Sequence, residues 1–148
     1  MGREGPPRAQ SDSDPQRSPR KVIHLDTRFL INALHRGSAE DRRLRQRLAE
    51  GEAVGISVVS WTEFLCGPVD QHDVELAVRV VDEPVALVAV DAAVAARLFN
   101  LAGRRRGFLN DCMVAAIALR ATASLATTNV SDFRRFEPAG LHVVRAEA

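Results

Sequence analysis

The chain's 148 residues, 46% hydrophobic and 26% charged, suit one domain with a sizeable core rather than two full domains. Twenty Lys and Arg against nineteen Asp and Glu give a net charge of +1; this excludes a bulk electrostatic pull toward nucleic acid or anionic membrane, so such contacts must come from local patches. Lys21 is the only lysine, which removes phosphate-cradling GxxxxGK NTPases and receiver domains that need a lysine after a late strand.

Residues 1–20, MGREGPPRAQSDSDPQRSPR, have almost nothing to bury, and we expect a disordered extension there. They also lack the apolar h-region of a secretory signal, and no run approaches the roughly 20 apolar residues that cross a bilayer. The expectation is a soluble, cytoplasmic protein whose folded domain spans 21–148. From residue 21 onward, short β-branched runs alternate with longer helical stretches. VIHL (22–25) reads as a strand, TRFLINALHR (27–36) and AEDRRLRQRLAEG (39–51) as helices, and AVGISVV (53–59) as a second strand. WTEFLCG (61–67) and VELAVRVVDE (74–83) follow as helices, then a strand VALVAV (85–90) and a helix DAAVAARLFNLAGRRRG (91–107). NDCMVAAIALRATA (110–123) is helical, SLATT (124–128) a strand, VSDFRRF (130–136) a short helix and LHVVRA (141–146) a last strand.

Strands alternating with helices imply right-handed crossovers and a mainly parallel sheet. The strand runs are continuously apolar, as strands covered on both faces should be. The fold class is therefore α/β, a three-layer α/β/α sandwich. Residues 112–121 are apolar apart from Arg120, which predicts a helix deep in the core. The helix over 39–51 carries only a stripe of Leu44 and Leu48 with Ala39 and Ala49 and reads as a surface helix. Arg42, Arg43, Arg45 and Arg47 read as its solvated face. Cys66 and Cys112 fit no zinc spacing and read as small buried hydrophobes in a reducing compartment.

Functional groups of open parallel sheets collect beyond the carboxyl ends of the strands. Asp26 directly follows VIHL; Glu63 follows AVGISVV after a three-residue spacer; Asp111 opens the most apolar helix; and Asp132 follows SLATT. Taken singly, each of these acids is best read as a helix cap or a first-turn residue. Four at one sheet edge repel one another unless a cation lies between them, and hard oxygen ligands suit Mg²⁺ or Mn²⁺. Asp91, at another helix start, is placed outside this group.

The stretches VIHLDTRFLINAL, SVVSWTEFLCG, NDCMVAAIAL and LATTNVSDFRRF, in this order and spacing, resemble the PIN-domain ribonucleases, and most closely the VapC toxins of bacterial toxin-antitoxin pairs. The resemblance covers roughly residues 21–144. It implies an acidic metal centre of Asp26, Glu63, Asp111 and Asp132, with Asn129 and Thr127 or Thr128 beside it. It leaves two candidates, Asp132 and Asn129, for the last place in the metal shell, because many relatives have an acid where Asn129 stands. It further implies an RNA substrate, a homodimer, and an antitoxin whose C-terminal segment covers the site. Relatives begin just before the first strand, which implies an alternative start near Val22.

A metal-activated water would then attack phosphorus in line. The histidines His24, His35, His72 and His142 sit at no strand end that suits a general base. Arg104, Arg105 and Arg106 precede Asp111, and Arg134 and Arg135 follow Asp132, so both groups are candidates to hold RNA phosphates. Leu44 and Leu48, facing Ala33 and Leu34, suggest an apolar groove for a partner helix. The alternative function is a PIN-like binding or assembly module that no longer cuts.

Overall fold

Four short strands run side by side in one direction, in the order β2-β1-β3-β4. The computed structural model describes residues 21–147, so the extension expected over 1–20 lies outside the described residues. The strands are β1 (Val22–Leu25), β2 (Ala53–Gly55), β3 (Ala123–Ala126) and β4 (Val143–Val144). Among the described residues seven α-helices accompany them: α1 (Thr27–Ala33), α2 (Ala39–Ala49), α3 (Val58–Cys66), α4 (Gln71–Val80), α5 (Ala89–Leu101), α6 (Leu109–Arg120) and α7 (Val130–Phe133). Because every strand is parallel, all the carboxyl ends fall along one edge, and Asp26 and Thr127 directly follow β1 and β3 there.

Two separate cores make the three layers. Ile23, Leu25 and Val54 of the sheet pack with Phe29, Leu44, Phe64 and Ala77 from helices α1 to α4. On the opposite face Ala123 and Leu125 pack with Ala95 and Leu98 of α5 and with Cys112 and Val114 of α6. The expected central helix is there, with Val114 through Ala118 buried. His24 of β1 is also buried on this face, and burial, aided by the nearby Arg120 charge, lowers its pKa to about 4, so it is neutral at neutral pH. Gly55 of the paired strand makes room for its ring: a Cβ there would lie 3.1 Å from the imidazole.

Several elements differ from the sequence reading. The run over 53–59 stops being a strand at Gly55, because the Ser57 side chain accepts the Ser60 N–H and starts α3 at Val58. The run over 85–90 forms only an isolated parallel bridge from Val85 to Ser57. Pro84, which has no N–H to give a ladder, stands before that bridge, and α5 begins at Ala89 immediately after it. Leu44 and Ala33 are both buried in the first core, so the groove suggested between α1 and α2 is filled by their own packing. Leu48 stays exposed. Cys66 is exposed at the end of α3, whereas Cys112 is buried as expected.

One buried ion pair ties α5 to α6. Asp91 is fully buried and accepts two hydrogen bonds from Arg120 Nε, at 2.9 and 3.1 Å, plus the Val88 N–H at 3.0 Å. Arg120 also donates to the Ala86 carbonyl at 2.7 Å. Burial pushes the Asp91 carboxyl up, but the Arg120 and Val88 hydrogen bonds and the Arg120 charge outweigh it and hold the pKa below its usual value. Its stabilising contribution is thus present above the ordinary carboxyl pKa and is lost as pH falls through the lowered one. Asp91→Asn should cost roughly 2 kcal/mol at pH 7, less than the 3–5 kcal/mol or so for breaking a fully buried pair because Arg120 is partly exposed. Urea unfolding of the variant and wild type checks this.

Candidate active site

Each of the four acids is carried to the same sheet edge by a different element. Asp26 is the N-cap of α1, its Oδ1 accepting the Thr27 N–H at 2.8 Å. Across the sheet, Thr127 leaves β3 fully buried and its hydroxyl donates to Asp26 Oδ2 at 2.9 Å. The same hydroxyl accepts the Asn129 N–H at 2.9 Å. Asp26 is therefore fixed from both sides, while each oxygen keeps a second lone pair for another partner.

Glu63 lies in the middle of α3, and its Oε1 accepts a hydrogen bond from Asn110 Nδ2 at 3.2 Å, which links α3 to the first turn of α6. Asp132, in the first turn of α7, accepts from Asn129 Nδ2 and pairs with Arg135 Nη2 at 3.5 Å. The Arg135 guanidinium stacks over the Phe108 ring at 3.9 Å from its centroid. Asp111 sits in the first turn of α6, and no hydrogen-bond donor among the described residues reaches its carboxylate.

Electrostatics couples Asp111 to the other three acids. Burial and then the negative charges of Asp26, Asp132 and Glu63 push the Asp111 pKa up to about 6, against a smaller pull from Arg135. Discounted for partial exposure, a rise of that size corresponds to roughly 2 kcal/mol, more than the 0.3–1 kcal/mol or so with which a helix N-terminus favours an acid in its first turn. Burial and the added repulsion outweigh the dipole. Burial also raises Asp26, against the Thr27 and Thr127 hydrogen bonds. Glu63 is raised by burial first and by Asp26 second, with Asn110 opposing.

The donor set is one of hard carboxylate oxygens backed by hydroxyl and amide groups, which matches Mg²⁺ or Mn²⁺ rather than a softer metal. In this arrangement no three His, Cys, Asp or Glu side chains among the described residues converge on one point. Glu63 and Asp132 instead hold Asn110 and Asn129. The excess negative charge that raises Asp111 is nevertheless the condition that a bound cation relieves, so the residues fit such an ion.

The remaining sequence candidates divide. Asn129 is at the centre, on Asp132. Of the two threonines, Thr127 bonds Asp26, while Thr128 is exposed and makes no hydrogen bond to the four acids. Arg104, Arg105 and Arg106 are exposed on the turn before α6, Arg104 donating to Asn100 Oδ1 at 3.3 Å. They lie two residues or more from Phe108, which carries Arg135. Arg134 points elsewhere and lines a depression with Thr127 and Arg145. Asn110 and Phe108 are contributors that the sequence left unassigned, and Arg135, a phosphate candidate there, sits on Phe108 beside Asp132. Asn110 is adjacent to Asp111 in the chain, a signal in hindsight, whereas the pairing of Phe108 with Arg135 joins distant segments.

A model of the PIN domain family matches residues 23–137, and the chain belongs to that family. No curated protein matches it. Among solved structures it is similar to VapBC2 of Rickettsia felis bound to a promoter DNA fragment, at 18% identity and a TM-score of 0.67, covering 84% of this chain and 98% of that one. It is similar also to VapBC-1 of nontypeable Haemophilus influenzae, at 18% identity and TM-score 0.62, covering 84% and 98%. A toxin-antitoxin complex of Klebsiella pneumoniae shows 22% identity and TM-score 0.59 over 85% of this chain and 99% of that one. These likenesses establish the shared fold, with the expected parallel α/β architecture.

Asp111 also sets a pH dependence. A carboxyl whose folded pKa is raised contributes stability below the unfolded value of about 4 and loses it as pH rises through about 6. Without divalent ions, Asp111→Asn should therefore be more stable than wild type by about 2 kcal/mol at pH 7, discounted for partial exposure. The gain should disappear near pH 4. Thermal melts in chelator at both pH values test the sign.

Proposed function

We propose that this chain is a Mg²⁺- or Mn²⁺-dependent endoribonuclease that serves as the toxin of a toxin-antitoxin pair. The observation that carries the reading is the electrostatic coupling of Asp111 to Asp26, Glu63 and Asp132 at the carboxyl edge of a PIN-family sheet. One of the similar structures is a toxin-antitoxin complex by its own description and two are VapBC structures, a family that the description of another similar structure places among toxin-antitoxin systems; this supports the toxin assignment and an antitoxin partner. The family resemblance adds a homodimer.

Asp26, Glu63, Asp111 and Asp132 would hold the ion. When bound, it lowers the pKa of a coordinated water and offsets charge on a phosphodiester. The chain's own residues set the geometry. Thr27 and Thr127 each hold one oxygen of Asp26, so this acid is the best preorganised of the four. Asn110 and Asn129 orient Glu63 and Asp132 in the same way, and orienting partners of this kind are typically worth 10–100-fold in metal affinity or activity. Arg135, restrained between Phe108 and Asp132, is a cation beside the acids where a scissile phosphate needs one. Arg104, Arg105, Arg106 and Arg134 add positive charge that draws a polyanion toward an otherwise repellent edge. Thr128 and Asn129 remain candidates to touch the substrate.

Asp26→Asn should lower Mg²⁺-dependent cleavage of RNA by at least about 100-fold, while Arg97→Gln, on the exposed face of α5, stays within about twofold. Gel analysis of labelled RNA with and without chelator measures both. Wild type that binds Mg²⁺ and leaves every RNA intact would instead support the non-cutting module. Light scattering of the purified chain should give twice 16.2 kDa, and expression without an antitoxin should arrest growth only when Asp26 is intact.

A further inference from the structure

Two shallow depressions lie end to end beside the acidic edge. The first is lined by Thr127, Arg134 and Arg145, the second by Arg42, Arg43 and Gln46 of α2, and both share Ala146 and Glu147. They form one track, joined where the chain leaves β4. Its near end is Thr127, whose hydroxyl is bonded to Asp26 at 2.9 Å. Along it stand four arginines against one glutamate. None of the four takes part in an ion pair among the described residues.

The cations are positioned as well as present. Arg43 Nε donates to the Arg145 carbonyl at 3.0 Å, which ties α2 to the segment after β4, and Arg43 Nη1 donates to Gln46 at 3.2 Å. Arg42 Nη1 donates to the Gly37 carbonyl at 2.6 Å. Each bond uses part of a five-donor guanidinium and neutralises none of its charge. Arg134 and Arg135 are neighbours in sequence yet divide their work, Arg135 on Phe108 beside Asp132 and Arg134 in the track.

The geometry points to this track as the binding path for the RNA strand on one side of the cut, a role that rests on the nuclease reading above. It grips successive phosphates through Arg134, Arg145, Arg43 and Arg42. The residues lining it include no aromatic ring, and their apolar side chains are only Val130 and the alanines Ala39 and Ala146. A stacking platform for bases needs the former, and a docked protein segment needs apolar or aromatic anchors. A phosphate backbone needs neither, so the track contributes affinity and register rather than base preference. The helix face that reads as merely solvated in the sequence thereby becomes part of the substrate path.

The test uses the full chain carrying Asp26→Asn, so that RNA is bound and not cut, and follows a labelled 12-nucleotide single-stranded RNA by anisotropy at several salt concentrations. Adding Arg42→Glu and Arg145→Glu should weaken binding at least about tenfold. It should also flatten the salt slope by about 1.4, as expected for two lost phosphate contacts to a single strand. A matched reversal of equal charge on distant helices, Arg79→Glu with Arg97→Glu, should change affinity by less than about threefold. Arg42→Gln with Arg145→Gln, which adds no new charge, should give the same direction with a smaller loss and guards against misfolding. Equal loss in the groove and matched pairs, or none in the groove pair, overturns the proposal. So does a 12-residue oligoglutamate peptide that binds as tightly as the RNA with the same dependence on Arg42 and Arg145. Cleavage by the chain with Asp26 restored is read separately: RNA bound along the track and never cut would refute the nuclease reading and leave the binding path standing.

Discussion

Like-charge repulsion among Asp26, Glu63, Asp111 and Asp132 is the constraint around which the functional edge is built. Together with burial, which contributes most, it lifts Asp111 to about 6, and the nearby Arg135 charge offsets only part of that rise. The fold must hold these groups at one edge against that force. It does so with large apolar side chains: Phe29, Phe64, Phe133 and Phe136 are all almost wholly buried, and burying each ring is worth about 2–3 kcal/mol. Phe29 lies on α1 close behind Asp26, Phe64 directly follows Glu63 and Phe133 directly follows Asp132. Three of the acids are thus each carried by a helix that a buried ring anchors.

The second layer of support is polar. Thr27, Thr127, Asn110 and Asn129 each take up one oxygen of an acid, and Asp111 is left with none. The cluster accordingly has three oriented members and one whose charge state follows the others. On the far face of the sheet, Asp91 and Arg120 pin α5 to α6, and α6 is the helix that presents Asp111. The pair lies outside the acidic centre, yet it fixes the helix on which the most perturbed acid stands.

Much of this was legible in the sequence because it rests on local patterns. Continuous apolar strands, an all-round apolar helix over 112–121 and acids directly after strands are period and position signals, and the structure has the parallel sheet, the buried α6 and the shared edge that they imply. What was not legible depends on competition between elements. The run over 53–59 is as β-branched as a strand, but the Ser57 cap converts its second half to helix. Leu44 and Ala33 look like the walls of a groove until α1 and α2 are seen to close on each other. Asp91 reads as a helix-start acid, and only its approach to Arg120, 29 residues away, makes it a buried ion pair. The choice between Thr127 and Thr128 turns on which faces inward as β3 ends, and a one-residue change of register reverses it.

The coupling of Asp111 to a cation site can be measured without any substrate. Calorimetric titration of Mn²⁺ into the full chain, in two buffers of different ionisation enthalpy, reports both affinity and protons released. If the four acids hold the ion, binding at pH 6 should release about half a proton, as expected for a carboxyl half-protonated there. That release should vanish by pH 8 and be lost in Asp111→Asn. Absence of binding at millimolar Mn²⁺, or binding to Asp111→Asn with the same affinity and the same proton release as wild type, would contradict the assignment of this edge as a metal centre.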